Sequence, residues 1–591
     1  PAGGAFVLTG SPDNTAKIWD SATGRELATL ISVDSTDWVV TTPSGLFDAS
    51  PGAMQLMHYV LGTEVIDLDQ LKERYYEPGL LAKITGLSKG VLRDVAAFDQ
   101  IALYPEISAR IEKERLSVEL NRRNGGIGKL SLFINGKEVQ EDINPERQNK
   151  LDIDLRVYAK YYITNNTNLI ALKAYNEEGW LRSQDYELKY RPVSTSLPGS
   201  SAKYQPHLFA LMVGTSDYAG NGLDLRFADL DAEAMAKVIT EVGGALFGEA
   251  FTTVRLLSTA GNTPWEMSTF PNINQAFQDI AAKAQPEDVL MIYFSGHGLA
   301  YGPAEKEQFY YLTKDISSAD LSDPEIRKNY TVSSEDLTRW LTAISAQKQV
   351  MILDACNAGK VVESLTTLVQ KTLDPSQIRA LERMKDRTGM FILTGSAADK
   401  ISYESNQYGQ GLLTYSLLQG ISGLALTSDK RVDVMTLFQY ARDQVPILAK
   451  GIGGIQTPVV AFPYSGASFD IGLVTARTTL PSMQGKPVFI RSNFQDENFG
   501  DELGVANALA AYFQGISLKG SQADIIYVDV NEYQNGYSIR GRYTYNGNVV
   551  QVTGSLLKGD VSQGKFELSG KKNDLPGLVQ LILDKVRPLI K

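Results

Sequence analysis

Two stretches decide the fold: VLMIYFSGHG at Val289–Gly298 and VMILDACNAG at Val350–Gly359. Each is an unbroken apolar run that stops at small and reactive residues. A run of this length without polar alternation reads as a strand buried on both faces. LFALMVG (Leu208–Gly214) and MFILTG (Met390–Gly395) read the same way. Helical patterns lie between them. Ala232, Met235, Ala236 and Ile239 share one helix face, and Ile273, Phe277, Ile280 and Ala284 share another behind Pro271. Buried strands alternating with helices predict an α/β domain, a mostly parallel sheet with helices on both faces, at about 206–475.

The chain on either side reads differently. STSLPGSSAKYQP (Ser194–Pro206) is a Ser/Pro/Gly linker, placed at 193–205. Before it, residues 91–192 alternate strictly: Leu116, Val118 and Leu120, then Leu130, Leu132 and Ile134 before the turn Asn135-Gly136, then Leu151, Ile153, Leu155 and Val157. This spacing argues a small antiparallel β-sandwich, similar to an immunoglobulin-like domain. Residues 36–90 form a connector, with a strand pair around Pro43-Ser44-Gly45 and a helical pattern broken at Pro78-Gly79. Residues 1–35 carry short strands around Pro12-Asp13-Asn14 and Thr23-Gly24, and Trp19-Asp20 makes them resemble the end of a WD repeat. One propeller blade cannot bury its own faces, so a longer native protein with a propeller upstream is expected; an incidental β-hairpin is the alternative. Residues 476–591 read as a small α/β domain, from PVFIRSNF to LPGLVQLILDKV.

At 591 residues the chain exceeds what a single core holds. A composition of 43% hydrophobic and 21% charged residues belongs to a folded chain. No apolar run reaches the roughly 18–20 residues of a membrane helix, and no secretory signal pattern opens the sequence. The net charge of −11 (57 basic, 68 acidic residues) argues against nucleic acid and anionic membranes as partners and suits cationic peptides. The single cysteine, Cys356, excludes an internal disulfide framework and a Cys-rich zinc site. A free thiol fits a reducing compartment, and a bacterial cytoplasm is expected, with periplasmic or secreted placement left open.

In a parallel sheet, reactive side chains gather beyond the carboxyl ends of the strands. One strand runs into Ser295-Gly296-His297-Gly298 and another into Asp354-Ala355-Cys356. If the two are neighbours, His297 and Cys356 emerge at one edge, as a nucleophilic Cys–His pair requires. The thiolate attacks a carbonyl carbon, and the imidazole takes the proton and returns it to the departing amine. The backbone N–H groups of Gly298 and Cys356 are the expected donors to the oxyanion.

A strand ending in SGHG followed by one ending in Asp-Ala-Cys-x-x-Gly resembles the caspase-like cysteine peptidases. Asp354, where caspases carry glutamine, places the resemblance on the metacaspase, paracaspase and bacterial orthocaspase side. It spans about 206–475 and includes LRFADLDAEAMAKVI and GQGLLTYSLLQGI, the latter similar to the family's G-x-F-T-x-x-L helix. The domain order also resembles bacterial WD-repeat proteins with a caspase-like domain, whose propeller and accessory domains would recruit protein partners. The resemblance implies a His297–Cys356 dyad. It also implies an S1 pocket for a basic P1 residue, the residue whose carbonyl is attacked, built from Asp231, Ser295 and Asp354, with Glu404 as a further carboxylate. Cleavage after Arg, then Lys, is expected.

Some metacaspases hold calcium. Asp315 matches one expected ligand, but Ser333-Ser334 stands where paired Asp would be, so no calcium requirement and no other cofactor or metal is expected. Self-cleavage is expected at Arg379, Arg383, Lys385 or Arg387, with an ordinary amphipathic helix as the alternative, since Ile378, Leu381 and Met384 keep helical spacing. Three other readings compete: a non-catalytic scaffold on this fold, another Cys–His acyl-transfer enzyme such as an amidase, and a caspase-type pocket for P1 Asp using Arg226.

Overall fold

The computed structural model describes residues 4–87, 92–95, 101–192, 204–220, 222–303, 307–357, 375–395, 410–451, 456–463, 466–476, 478, 487–517, 525–527 and 536–590. Its central unit is a three-layer α/β/α domain. The strands are β1 (Leu208–Gly214), β2 (Thr252–Ser258), β3 (Val289–Tyr301), β4 (Gln308–Leu312), β5 (Thr331–Ser333), β6 (Lys348–Asn357), β7 (Phe391–Thr394) and β8 (Val459–Ala461). The main path runs β2-β1-β3-β6-β7-β8. Its first five strands are mutually parallel, and β8 returns antiparallel to β7.

The apolar runs are continuous because both faces of the sheet are covered. In β1, Leu208, Ala210 and Met212 enter one core while Phe209, Leu211 and Val213 enter the other. Helices α1 (Ala228–Phe247), α5 (Leu412–Gln419) and α6 (Val434–Gly451) cover the first face. Helices α2 (Phe270–Ala281), α3 (Ser334–Ala343) and α4 (Pro375–Thr388) cover the second. The expected stripe Ala232, Met235, Ala236 and Ile239 is buried in α1. Fully burying one large aliphatic side chain contributes about 1.5–3 kcal/mol, so these two cores are the main stabilising element of the domain.

The sequence reading ends β3 at Phe294, yet the strand continues to Tyr301. Beyond Ser295 it leaves β1 and pairs antiparallel with β4, from Gly298↔Tyr311 to Tyr301↔Gln308. The residues of greatest chemical interest therefore sit inside a strand and not in a loop after it.

On the amino-terminal side, five antiparallel strands between Phe6 and Ala49 form one meander. It crosses the expected boundary at 35/36, because Thr29–Ser32 pairs with Trp38–Thr41. Next come a four-stranded and a three-stranded sheet around one shared core, within residues 106–190. The third alternating run is shorter than expected. Its strand stops at Asp154, whose carboxylate accepts from the Arg156 N–H and caps a 3-10 turn, so Leu155 is buried and Val157 exposed. Lys137, in the hairpin after Asn135-Gly136, is buried against the central domain. Its ammonium donates to the carbonyls of Ile344 and Ala346, just past the end of α3. A carboxy-terminal six-stranded mixed sheet packs with two helices, Val505–Ser517 and Leu575–Val586. Among the described residues, no helix is long and apolar enough to cross a membrane.

Candidate active site

Strand register brings the two expected residues together. β3 and β6 are parallel neighbours, and Ser295 pairs with Asp354, Gly296 with Ala355 and His297 with Cys356. Neighbouring strands lie about 4.8 Å apart, so His297 and Cys356 occupy one rung of the sheet. Gly298, proposed as an oxyanion donor, is paired with Asn357 and lies diagonal to Cys356. The Cys356 side chain lies outside the described residues.

The glycines flanking His297 are required by close packing. A Cβ on Gly296, which sits at φ +153°, would lie 2.9 Å from the Tyr311 hydroxyl and 3.0 Å from that of Tyr218. A Cβ on Gly298 would lie 2.3 Å from the Phe309 ring. Glycine therefore lets β3 pass between three aromatic side chains and still present His297 at a fixed position.

His297 is buried and oriented by three contacts. Its N–H donates to the Tyr218 hydroxyl at 2.9 Å, and the two rings stack at a tilt, 5.2 Å between centroids. Its Nε2 lies 2.7 Å from the Leu223 carbonyl oxygen. A carbonyl only accepts, so Nε2 carries the proton. The lone pair of the neutral ring is then on Nδ1, which is buried and has no hydrogen-bond partner among the described residues. Burial pushes the His297 pKa down to about 4, against smaller upward contributions from Leu223 and Asp224. At neutral pH the ring is uncharged and Nδ1 is a base awaiting a proton.

The two expected acids converge next to this rung. Asp354, on β6, and Asp231, in the first turn of α1, are both buried. Their nearest common neighbour is Gly411, immediately before α5. Its N–H is 3.1 and 3.0 Å from the two Asp231 oxygens. A Cβ placed on Gly411 would lie 2.8 Å from an oxygen of Asp231 and 2.8 Å from one of Asp354. Thr414, one turn along α5, donates to Asp354 Oδ2 at 2.9 Å and bonds the Tyr293 hydroxyl at 2.6 Å. Burial pushes the Asp354 carboxyl up to about 6, with hydrogen bonds from Thr414 pulling the other way. Burial raises the pKa of the Tyr293 hydroxyl, and the charges of Asp231 and Asp354 add to that. Glu404 lies outside the described residues.

Tyr218, the Leu223 carbonyl, Gly411 and Thr414 escape sequence reasoning as site residues. The Leu223 contribution is a backbone atom and has no residue signature. Gly411 and Thr414 stand in GQGLLTYSLLQGI, whose motif signals the helix but not what its first turn touches.

The four basic residues expected at a self-cleavage site all lie on α4. Arg379 pairs with Glu77 at 3.4 Å and Glu307 at 3.5 Å, and Lys385 pairs with Glu382 at 2.7 Å. Arg383 donates to the Glu307 carbonyl at 2.6 Å, and Arg387 pairs with Glu138 and Glu141. The segment is helical, as the amphipathic-helix alternative has it. Ser333, at an expected calcium position, caps α3 by accepting from the Asp336 N–H. Asp315 accepts from Thr313 at 2.6 Å. Among the described residues, no three His, Cys, Asp or Glu side chains gather as a metal site.

Comparison with known proteins bears on the same segment. Residues 207–464 match the family model of the peptidase C14 caspase domain. The site-bearing part of this multidomain chain is therefore a caspase-like α/β domain. No curated protein matches the chain. Among solved structures, the crystal structure of protein GSU0716 from Geobacter sulfurreducens is similar at 15% identity and a TM-score of 0.28, over 46% of this chain and 96% of its own.

Proposed function

We propose that this chain is a cysteine endopeptidase that cleaves after basic residues, Arg before Lys, through His297 and Cys356. The carrying observation is the convergence of two buried carboxylates, Asp231 and Asp354, on Gly411 beside the His297–Cys356 rung. A buried carboxylate is costly unless a cation compensates it. A P1 guanidinium in this pocket would supply that charge, with a planar fork suited to two acids. A P1 aspartate would bring a third negative charge, which counts against the caspase-type reading.

The chemistry follows from the His297 tautomer. Nδ1 takes the Cys356 proton as the thiolate attacks the scissile carbonyl, and the Leu223 carbonyl stabilises the imidazolium through Nε2–H. The oxyanion is assigned to the N–H groups of Gly298 and Cys356. Collapse of the intermediate returns the proton to the leaving amine, and water then hydrolyses the thioester. The flanking domains are assigned a partner-recruiting role, with no direct contact to the scissile bond.

Fluorogenic peptides differing only at P1 (Arg, Lys, Asp, Ala) test the reading against wild-type and Cys356→Ala protein. Cleavage of the Arg peptide first and the Lys peptide second, lost in Cys356→Ala, is expected. Preference for Asp overturns the specificity. Equal activity of the Cys356→Ala protein overturns the mechanism.

A further inference from the structure

The acids alone do not define the pocket, because neither their spacing nor their ionisation is set by the acids themselves. The start of α5 contacts both acids, and the reasoning rests on the peptidase reading above. Gly411 has φ −60° and ψ 145°, backbone that any residue adopts. Its lack of a side chain is therefore not a conformational requirement. What a side chain would meet is the pair of carboxylates, at 2.8 Å on each side, closer than any carbon–oxygen packing contact. Among the described residues, nothing else comes within that range.

Thr414 is fully buried and has one hydroxyl proton. An ionised Asp354 can only accept, so that proton is committed to Asp354 Oδ2. The Tyr293 hydroxyl, 2.6 Å from Thr414 Oγ1, must then donate to Thr414. Hydroxyl protons therefore point in one direction, from Tyr293 through Thr414 to Asp354. Such a chain is cooperative and favours the charged carboxylate at its end.

We propose that the first turn of α5 selects a basic P1 residue: Gly411 by keeping the space between Asp231 and Asp354 open, and Thr414 as the positioning residue that holds Asp354 ready to meet a cation. Gly411 is then a specificity determinant and Thr414 acts through Asp354 without touching substrate.

The test uses the full chain in two backgrounds. Cleavage of P1-Arg peptides is measured over a pH series for Gly411→Ala, Thr414→Val and Thr414→Ser. Binding of the Arg peptide and of its citrulline counterpart, uncharged but nearly the same shape, is measured by calorimetry on Cys356→Ala protein carrying the same changes. Gly411→Ala is expected to lower kcat/KM for P1 Arg roughly 10–200-fold, as a misplaced methyl does in a fitted pocket, and to weaken arginine binding in step. Thr414→Val is expected to raise KM roughly tenfold, as loss of a hydrogen bond to a charged group does, and to move the acid limb of the profile to higher pH. Thr414→Ser restores both. Thermal melts identify any variant that fails to fold, and Thr414→Ser and Gly411→Ala then carry the decision. Arginine binding and pH profiles like wild type in Gly411→Ala and Thr414→Val overturn the inference while leaving the peptidase standing. Wild-type protein that neither cleaves nor binds the arginine peptide overturns both.

Discussion

Glu77 and Asp354 are both buried carboxylates, and their surroundings differ in one respect. Glu77, in the connector before the sandwich, has no exposed side-chain surface. It pairs with Lys83, with Arg93 at 2.6 Å and with Arg379 of α4 at 3.4 Å. Burial raises its pKa, but the hydrogen bonds from Lys83 and Arg93 and the charge of Arg379 outweigh that, and the net shift is downward. Asp354 is also buried, but among the described residues the downward influence comes from Thr414, and burial raises it to about 6. The first carboxylate has its countercharge built into the fold and ties the connector to α4. Among the described residues the second is held by the neutral donor Thr414, and in the proposed reading the basic P1 residue supplies its countercharge. A buried acid that the protein leaves short of charge marks a place where a ligand supplies it.

The largest expected effect sits at the rung next to Asp354. Replacing Cys356 with alanine removes the proposed nucleophile, and kcat/KM for P1 Arg should fall at least about a thousandfold; retained activity would show that the pocket serves another reaction.

Removing the compensated acid comes next. Glu77→Gln leaves three cations facing a neutral group, and the expected loss is about 3–5 kcal/mol of stability. Denaturant titration reads it, and the P1 preference should not move. A shift in preference would mean that Glu77 and Asp354 are not the separate cases described here.

Asp354→Asn should act in the opposite sense on stability. A carboxyl raised from 3.8 to about 6 binds more protons folded than unfolded in that window. Its burial therefore destabilises the fold increasingly as pH rises from 4 to 6, by on the order of 2–3 kcal/mol above it. The asparagine variant should melt higher than wild type at pH 7.5, with the gap closing below pH 4, while its kcat/KM for P1 Arg drops about a hundredfold. A variant that melts lower at pH 7.5 would place Asp354 with Glu77 as a structural acid.

The smallest effect is the pH profile of the wild type. Protonating Asp354 in the free protein removes one of the two charges proposed to meet P1 Arg, so kcat/KM for P1 Arg should fall as pH drops through about 6, mainly through KM. His297, with a pKa of about 4, stays neutral over that range. An acid limb carried by kcat alone would assign the titration to His297 instead.

Much of this was legible from residue order. The apolar runs gave β1, β3, β6 and β7, and their reactive ends gave His297 and Cys356. Asp231 and Asp354 came from the resemblance to caspase-like peptidases. The extension of β3 to Tyr301 was hidden, because Ser-Gly-His-Gly reads as a turn unless β4 is known to lie beside it. The first turn of α5 was hidden for a related reason: Gly411 and Thr414 are ordinary helix-start residues until the fold brings Asp231, from nearly two hundred residues earlier, against them. Arg379 and its neighbours read as cleavable because sequence shows their charge and not the acids that hold them.

By itself the sequence determined which segments are buried strands and which residues could act as nucleophile, base and acid, since hydrophobic period and residue type are local properties. The tertiary structure alone decided which nitrogen of His297 bears the proton and that two distant carboxylates face one glycine. It also decided that Glu77 is matched by cations where, among the described residues, Asp354 is held by Thr414. Ionisation and tautomer depend on distances of a few ångströms between residues far apart in the chain, and only packing sets those distances.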